Sequence, residues 1–168
     1  GGTAIPGHVV NWLWKEWKIE ISHGWAMTEG LPGTFSTRCY RRRDLSKTEE
    51  EKTAHVLKQG TFDPLVQSRL VNPEDLRQSV EKNGKDYGEI LVRGPCVTSS
   101  YFKGVAPDNF IDGWLKTGDI AVISAQNEMQ ITDRSKDLIK SGGEWISSVD
   151  IENFVMQLDE IELACVVG

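Results

Sequence analysis

The sequence predicts an α/β fold that includes a small antiparallel sheet or partial barrel. Near the end of the chain, residues 147–158 have helical spacing of apolar side chains, and the strand-like run 161–167 follows them. A helix set between strands is typical of α/β proteins. Residues 119–123 and 128–132 alternate as a pair of strands, which predicts the antiparallel sheet. Near the start, residues 6–17 have the spacing of an amphipathic helix.

Composition and charge exclude several classes of protein. The chain has 168 residues, of which 39% are hydrophobic and 26% charged, as in an ordinary soluble globular domain. The formal net charge of −6 argues against general binding to nucleic acid or to anionic membranes, and the basic triplet 41–43 is interpreted as solvated loop. No run approaches the ~20 apolar residues of a transmembrane helix, so no transmembrane segment is predicted.

The cysteines and the chain ends bear on location and completeness. Cys39, Cys96 and Cys165 have no Cys-x-x-Cys spacing, so neither a disulfide framework nor a zinc site is predicted. A reducing compartment fits best, and we expect an intracellular protein of the cytoplasm or of an organellar matrix. The chain starts at Gly1 without an initiator Met and closes on the apolar run 164–167, which indicates a fragment of a larger protein.

A loop that follows the first helix is a candidate ligand site. Pro6 suits the first position of the helix, and the alternating run 19–21 predicts a short strand that leads into loop 22–30. Directly after a strand, the Thr28 hydroxyl could donate to a phosphate oxygen and the Glu29 carboxylate could hold a hydrated Mg²⁺. A plain turn remains an equal alternative.

The middle of the chain carries fewer functional signals. Residues 44–58 predict a surface helix that ends before Gly60, with Ser46 and Glu49 as its capping box. Its one histidine has no second ligand at metal-binding spacing, so no metal role is predicted for it. Pro, Asn and Gly residues punctuate 61–86, which predicts short strands and turns, with one helical turn at 73–76.

Two charged positions follow in the strand-rich part. Residues 88–95 predict a strand that stops at a Gly-Pro turn. Asp119 follows a glycine at a predicted strand start, where it could cap the strand or hold a ribose diol. The stretch 131–146 then places a dense row of charges beside the pair Gly142-Gly143, an arrangement that favours ligand contact over a charged turn. Ser147 or Ser148 is predicted to cap the last helix.

Three motifs together resemble those of a known enzyme family. They are His23-Gly24-Trp25-Ala26-Met27-Thr28-Glu29, the pair formed by residues 88–95 and 113–119, and Thr132-Asp133-Arg134-Ser135-Lys136-Asp137 with its continuation to Glu144. In order and spacing they are similar to the adenylate-forming acyl-CoA synthetases. The run Ser141 to Ser148 is most similar to the branch that activates medium- or long-chain fatty acids and small acids such as methylthio-propionate. The segment 1–6 is similar to the family's glycine-containing segment near the adenine.

The resemblance implies a two-step ligase that uses ATP, Mg²⁺ and coenzyme A. A carboxylic acid attacks the α-phosphate of ATP to give an acyl-adenylate, and the thiol of CoA then displaces AMP. The residues implied in nucleotide binding are Gly2, Thr3, Ala4, Trp25, Ala26, Met27, Thr28, Asp119, Ile131 and Arg134. Thr28 and Glu29 are implied as catalytic, Glu29 as the Mg²⁺ ligand and Lys136 as the interdomain hinge. The loop implied to approach CoA consists of Lys140, Ser141, Gly142, Gly143 and Glu144.

The resemblance also implies the domain organisation. Residues 1–133 would be the C-terminal portion of the large AMP-binding domain, and 134–168 would begin the mobile C-terminal domain. The family's phosphate loop and its catalytic lysine are expected before and after this chain, so we expect the isolated chain to be inactive. An apolar face around Trp12, Leu13 and Trp17 is expected to favour self-association. The alternative hypothesis is a non-catalytic module that binds adenylate or another protein.

The sequence departs from the family pattern in the second loop. The family usually has glycine at the position of Ala26 and a hydroxyl or apolar residue at that of Gly30. These differences bear on the wall of the adenine site.

Overall fold

The structure is a computed structural model that describes residues 5–30, 36–37, 47–142, 144–156, 158 and 160–167. Helices and strands alternate only near the ends of this part of the chain, and strands dominate its middle. The helices are α1 (Gly7–Trp17), α2 (Glu49–Val56) and α3 (Ser148–Val155). The strands are β1 (Gly24–Trp25), β2 (Ser36–Thr37), β3 (Gly60–Phe62), β4 (Gln67–Val71), β5 (Gly88–Arg93), β6 (Phe110–Ile111), β7 (Trp114–Ile123), β8 (Glu128–Arg134), β9 (Ile139–Ser141) and β10 (Glu144–Ile146).

One antiparallel sheet organises the described residues. Its strand order is β1-β2-β3-β8-β7-β5-β4, and β6 pairs with β7. The predicted strand pair is therefore confirmed, and both strands are longer than the sequence indicated, since β7 has 10 residues and β8 has 7. A separate hairpin of β9 and β10 follows β8. The predicted short strands in 61–86 and the strand in 88–95 are present as β3, β4 and β5.

The core lies on both faces of β5, which pairs with β4 on one side and β7 on the other. Ile90 and Val92 belong to the larger apolar cluster, whose members also come from β4, β7 and β8. On the opposite face Leu91 packs with Val71 and Trp114. Burial on both faces explains why the apolar residues of β5 are consecutive. A strand with one face exposed to solvent would instead alternate apolar and polar residues. The site described below lies at the edge of the larger cluster.

The helices confirm the sequence predictions in location but not in every boundary. Pro6 is the N-cap of α1, so the helix begins one residue later than expected. The helix α2 begins with a capping box formed by Thr48 and Glu51, and Ser46 lies outside the described residues. Ser147 caps α3, as predicted, by accepting a hydrogen bond from the backbone N–H of Asp150 at 3.1 Å.

Three predicted elements are wrong. Residues 19–21 form no strand, because Lys18 adopts a left-handed conformation (φ 55°) and its N–H returns to the end of α1. Residues 73–76 form turns without a helix, fixed by Asn72, whose side chain accepts from the N–H of Glu74 at 2.9 Å. Residues 161–167 form no strand, and the N–H of Val166 instead donates to the Glu152 carboxylate at 2.9 Å.

Apolar side chains lie exposed on and after α1. Trp12 is 54% exposed, Trp17 is 65% exposed and Ile19 is 47% exposed, whereas Val10 is buried. An exposed apolar face was expected there, although Leu13 is only partly exposed. Self-association through this face stays a prediction. Within the described residues no helix is both long and apolar enough to cross a membrane.

Candidate nucleotide site

A cleft of about 810 Å³ opens beside the middle of β7 and the C-terminal end of β8. Its walls come from residues 23–26 around β1, residues 131–134 of β8, the segment 136–139, the first turns of α3 and residues 165–167. Asp119 of β7 is part of the wall. The volume is within the range of small-molecule sites, ~300–1,000 Å³.

Asp119 is the central polar group of the cleft. It is only 4% exposed, and its Oδ2 accepts a hydrogen bond from Nε1 of Trp25 at 2.7 Å. Nε of Arg134 lies 3.0 Å from Oδ1, and the Arg134 side chain is 56% exposed. Burial raises the pKa of the Asp119 carboxyl above its usual value, while the Trp25 N–H and the Arg134 charge oppose that rise. The carboxylate is thus held in a fixed orientation at the cleft wall.

Strand register brings Asp119 and Arg134 together. The two residues are directly paired between β7 and β8, so their side chains leave neighbouring strands side by side. Asp119 was predicted at a strand start, which is wrong, because it is the sixth residue of a ten-residue strand. Its interior position makes the carboxylate part of the rigid sheet.

The buried amide of Gln59 is also part of the cleft wall. Oε1 of Gln59 accepts from the backbone N–H of Ile131 at 2.6 Å, and its Nε2 lies 3.3 Å from Nδ1 of His23. Nδ1 of His23 is also 3.2 Å from the carbonyl oxygen of Leu57. Burial lowers the pKa of His23 below its usual value, so the ring is neutral at pH 7. Gln59 carried no signal in the sequence and was missed.

The Thr28–Glu29 loop is anchored outside this cleft. The phenol of Tyr101 donates to Oε1 of Glu29 at 2.7 Å, and the N–H of Thr98 donates to the Glu29 carbonyl at 2.8 Å. Met27 packs against the larger apolar cluster. Among the residues that the structure describes, no group of three or more His, Cys, Asp and Glu side chains could hold a metal ion.

The start of α3 is bonded to β8 where both line the cleft. Oδ2 of Asp133 accepts from both the N–H and the hydroxyl of Ser148 at 2.8 Å each. The Ser147 hydroxyl donates to the Thr132 carbonyl at 2.9 Å. The bond from the Ser148 N–H satisfies the first N–H group of the helix, and the three bonds together fix the helix beside Arg134. Asp133 and Ser148 belong to quoted motifs, but no site role was predicted for either.

The glycine-containing loop forms the turn of the β9–β10 hairpin. Lys140 and Ser141 end β9, Gly142 has φ 59°, and Glu144 begins β10. The ammonium of Lys140 bonds to Glu74 and lies 4.9 Å from the ring centroid of Trp145. The positive φ explains the use of glycine at position 142. Of the described residues in this loop, Lys140, Ser141 and Gly142 do not line the cleft.

The structure gathers part of the predicted site. The cleft contains the following predicted residues: Trp25, Ala26, Asp119, Ile131, Arg134 and Lys136. It does not contain Met27, Thr28, Glu29, Lys140, Ser141 or Gly142, and the side chain of Glu144 is outside what the structure describes. Gly2, Thr3, Ala4 and Gly143 lie outside the described residues. The roles assigned to all of these residues stay predictions.

Comparison with known proteins gives one consistent result. The family model described as AMP-binding enzyme matches residues 1–102. The medium-chain-fatty-acid–CoA ligase of Ectopseudomonas oleovorans is 36% identical, and the alignment covers 100% of this chain and 30% of that enzyme. The long-chain-fatty-acid–CoA ligase of Thermus thermophilus is 37% identical, with coverage of 100% and 31%. The 3-methylmercaptopropionyl-CoA ligase of Ruegeria lacuscaerulensis is 34% identical, also with coverage of 100% and 31%.

Solved structures show the same likeness. The o-succinylbenzoate CoA synthetase of Bacillus subtilis in complex with its acyl-adenylate intermediate superposes with a TM-score of 0.76 at 26% identity. Its complex with ATP and a magnesium ion gives a TM-score of 0.75, and each comparison covers 100% of this chain and 32% of that one. The predicted fold class, part of an adenylate-forming enzyme, is confirmed.

Proposed function

This chain belongs to the family of AMP-binding enzymes, and we propose that it forms part of the nucleotide site of an acyl-CoA ligase. The chain spans about 30% of the length of the curated relatives that it matches. The proposed reaction therefore belongs to a whole ligase. A carboxylate displaces pyrophosphate from ATP to give an acyl-adenylate, and the sulfur of CoA then displaces AMP to give the thioester.

One observation carries the proposal, namely the buried Asp119 carboxylate at the cleft wall. A carboxylate has about four acceptor positions, and Trp25 and Arg134 use two of them. Two positions remain for the adjacent hydroxyls of a ribose. The exposed Arg134 guanidinium stands beside that place and can donate further hydrogen bonds to the same sugar.

The remaining roles extend from this ribose site. Trp25 and Ala26 would form the adenine side of the wall, and Met27 would continue it toward the acyl group. The Thr28 hydroxyl would donate to a phosphate oxygen. Glu29 fits a magnesium ion that arrives with ATP, because Mg²⁺ is commonly held by one or two carboxylates together with substrate phosphates. Bound there, Mg²⁺ would neutralise phosphate charge.

The second half-reaction would use the end of the chain. We propose a domain boundary near residues 133 and 134, with Lys136 as the hinge. The turn after β8 supports this, since the N–H of Asp137 closes it on the Arg134 carbonyl at 3.0 Å. Rotation about this turn would bring the β9–β10 loop, residues 140–144, to the pantetheine of CoA, where glycine permits close approach.

The proposed acid is a medium- or long-chain fatty acid. Support comes from the relatives at 36% and 37% identity, which are named as medium-chain and long-chain fatty acid ligases. The smaller acid in the name of the third relative, at 34% identity, is the competing substrate class. A panel of acids of increasing length in the assay below distinguishes these classes.

The proposal can be tested in a chimeric ligase, defined as the Ectopseudomonas oleovorans enzyme with its aligned segment replaced by this chain. We expect the chimeric ligase to release pyrophosphate and form acyl-CoA from a fatty acid, Mg-ATP and CoA. We expect no acyl-CoA from the 168-residue chain alone. The unmodified parent enzyme is the positive control. A folded chimera that releases no pyrophosphate contradicts the proposal, and thioester formation by the chain alone contradicts the partial-site role.

A further inference from the structure

Strand β8 has one extra residue relative to β7 where the two strands reach the cleft. Ile131 of β8 lies opposite Ala121 of β7. The residue before Ala121, Ile120, lies opposite Asp133, so Thr132 is the extra residue. The Thr132 hydroxyl donates to the carbonyl of Ile120 at 3.2 Å. Such an extra residue is a β-bulge, and it shifts the register of every pair beyond it.

The bulge decides which side chain lies opposite Asp119. If the register of the Ala121 and Ile131 pair continued, Asp119 would lie opposite Asp133, two residues along each strand. Two carboxylates would then be neighbours, and like charges directly opposite each other are destabilising. The extra residue instead places Arg134 opposite Asp119, with Nε of Arg134 3.0 Å from Oδ1 of Asp119. The ion pair in the cleft wall therefore depends on the bulge.

The side chain of Gln59 bonds to the residue directly before the bulge. In the described part of the chain, β3 pairs with Glu128 and Met129 of β8, and β8 continues from there to Arg134. Beyond those pairs, Oε1 of Gln59 accepts from the backbone N–H of Ile131 at 2.6 Å. The backbone N–H of Gln59 donates to the Met129 carbonyl at 2.9 Å. Gln59 thus extends the bonding along this edge of β8 up to the bulge.

The other end of the same carboxamide contacts the segment before β1. Nε2 of Gln59 donates to the carbonyl of Leu57 at 3.4 Å and lies 3.3 Å from Nδ1 of His23. His23 directly precedes β1 and lines the same cleft as Ile131. Gln59 is only 3% exposed, and a buried amide is costly unless it is hydrogen-bonded. An apolar side chain would fill the space but would remove the acceptor of the Ile131 N–H.

We propose that Gln59 is a positioning residue for nucleotide binding, which holds Ile131 before the bulge and so keeps Arg134 opposite Asp119. This inference rests on the proposed nucleotide site. A strand end that has lost a hydrogen bond slips in register or frays more readily. Either movement takes the Arg134 guanidinium away from the place proposed for the ribose.

The test uses the 168-residue chain and compares Gln59→Leu, which has no acceptor, with Gln59→Glu, which keeps one at the same side-chain length. The first readout is the NOE between backbone protons of Asp119 and Arg134 in the ligand-free chain, which reports the register of the two strands. The second is the Kd for AMP. We expect Gln59→Leu to lose the NOE and to weaken AMP binding about tenfold. We expect Gln59→Glu to keep the NOE and to stay within about threefold of the wild-type Kd.

Leu70→Ala is the control for a loss of stability. Leu70 is 2% exposed and belongs to the larger apolar cluster, but it does not line the cleft. The substitution should lower the free energy of unfolding while the NOE and the AMP Kd stay unchanged. If Gln59→Leu does not fold, Gln59→Asn replaces it. Asparagine keeps the amide but is one methylene shorter, so its oxygen does not reach the Ile131 N–H and the NOE should again be lost.

The outcomes separate the two proposals. A folded Gln59→Leu or Gln59→Asn chain that keeps the wild-type NOE overturns the positioning role. Loss of the NOE in Gln59→Glu or in Leu70→Ala also overturns it, because the effect would then not depend on the acceptor oxygen. If the wild-type chain does not bind AMP, the proposed nucleotide site fails, while the NOE in the ligand-free chain still decides whether Gln59 sets the pairing of Asp119 with Arg134.

Discussion

Asp119→Ala in the chimeric ligase is expected to lower the rate of adenylation at least tenfold, about 1.4 kcal/mol in barrier height. The substitution removes the acceptor of the two proposed ribose hydrogen bonds and also the partner of the Trp25 N–H and of Arg134. Hydrogen bonds to a charged group contribute about 1.5–3 kcal/mol each, so tenfold is a lower bound. Pyrophosphate release in the absence of CoA is the measurement.

The matched control for this result is Asp108→Ala. Asp108 is an exposed carboxylate on a short 3-10 turn, outside the cleft. Its removal changes the net charge by the same amount and should leave pyrophosphate release unchanged. Thermal unfolding of both variants shows whether they are folded. If Asp119→Ala released pyrophosphate at the wild-type rate, the assignment of Asp119 to a ribose site would be contradicted.

Lys136→Pro is expected to separate the two half-reactions. The N–H of Asp137 bonds to the carbonyl of Arg134, which makes Lys136 the third residue of a four-residue turn. Proline there fixes φ and also restricts the backbone of the preceding residue, Ser135, so the proposed rotation is restricted. We expect thioester formation from preformed acyl-adenylate to fall about a hundredfold, about 2.7 kcal/mol. Adenylation should stay near the wild-type rate.

Lys136→Ala controls for the loss of the side chain. Lys136 is exposed, and alanine leaves the backbone of the turn free to rotate, so both half-reactions should continue at rates near wild type. Equal loss of adenylation and thioester formation in Lys136→Pro would argue against a hinge. The same would follow if Lys136→Ala blocked thioester formation as strongly as proline did.

The main strands were predictable from local sequence patterns, because the burial of a strand's faces determines which of its residues are apolar. The apolar run in β5 and the alternation around the β7–β8 turn are visible in the sequence, and both strands are present. Alternation in residues 19–21 is equally clear, but a strand also needs a partner. Within the described part of the chain these residues have none.

The start of α2 differs from the prediction because the sequence contains two equally good capping-box patterns. Both Ser46 with Glu49 and Thr48 with Glu51 satisfy the capping-box spacing. The structure uses the second pair, and a hydrogen bond between Thr53 and Asn11 of α1 adds a tertiary contact to α2. The sequence alone does not show which of two capping boxes is used when their positions differ by about half a helical turn.

The candidate site was predictable in residue type but not in arrangement. Asp119 and Arg134 were selected by their motifs, and the register of β7 with β8 places them side by side. The shift in register between β5 and β7, where Ile90 lies opposite residues 117–119, was not predictable, because a period-two pattern does not show how many residues face one residue of the partner strand.

The most direct test of the nucleotide site is the response of the Trp25 indole N–H to AMP. The chain has six tryptophans, and Trp25→Phe assigns the resonance. Because this N–H donates to Asp119 at 2.7 Å, ribose binding at that carboxylate should shift it. We predict a saturable shift with AMP and little shift with 2′,3′-dideoxy-AMP, which lacks both hydroxyls. No shift with millimolar AMP, or equal shifts with both nucleotides, would contradict a ribose site at Asp119.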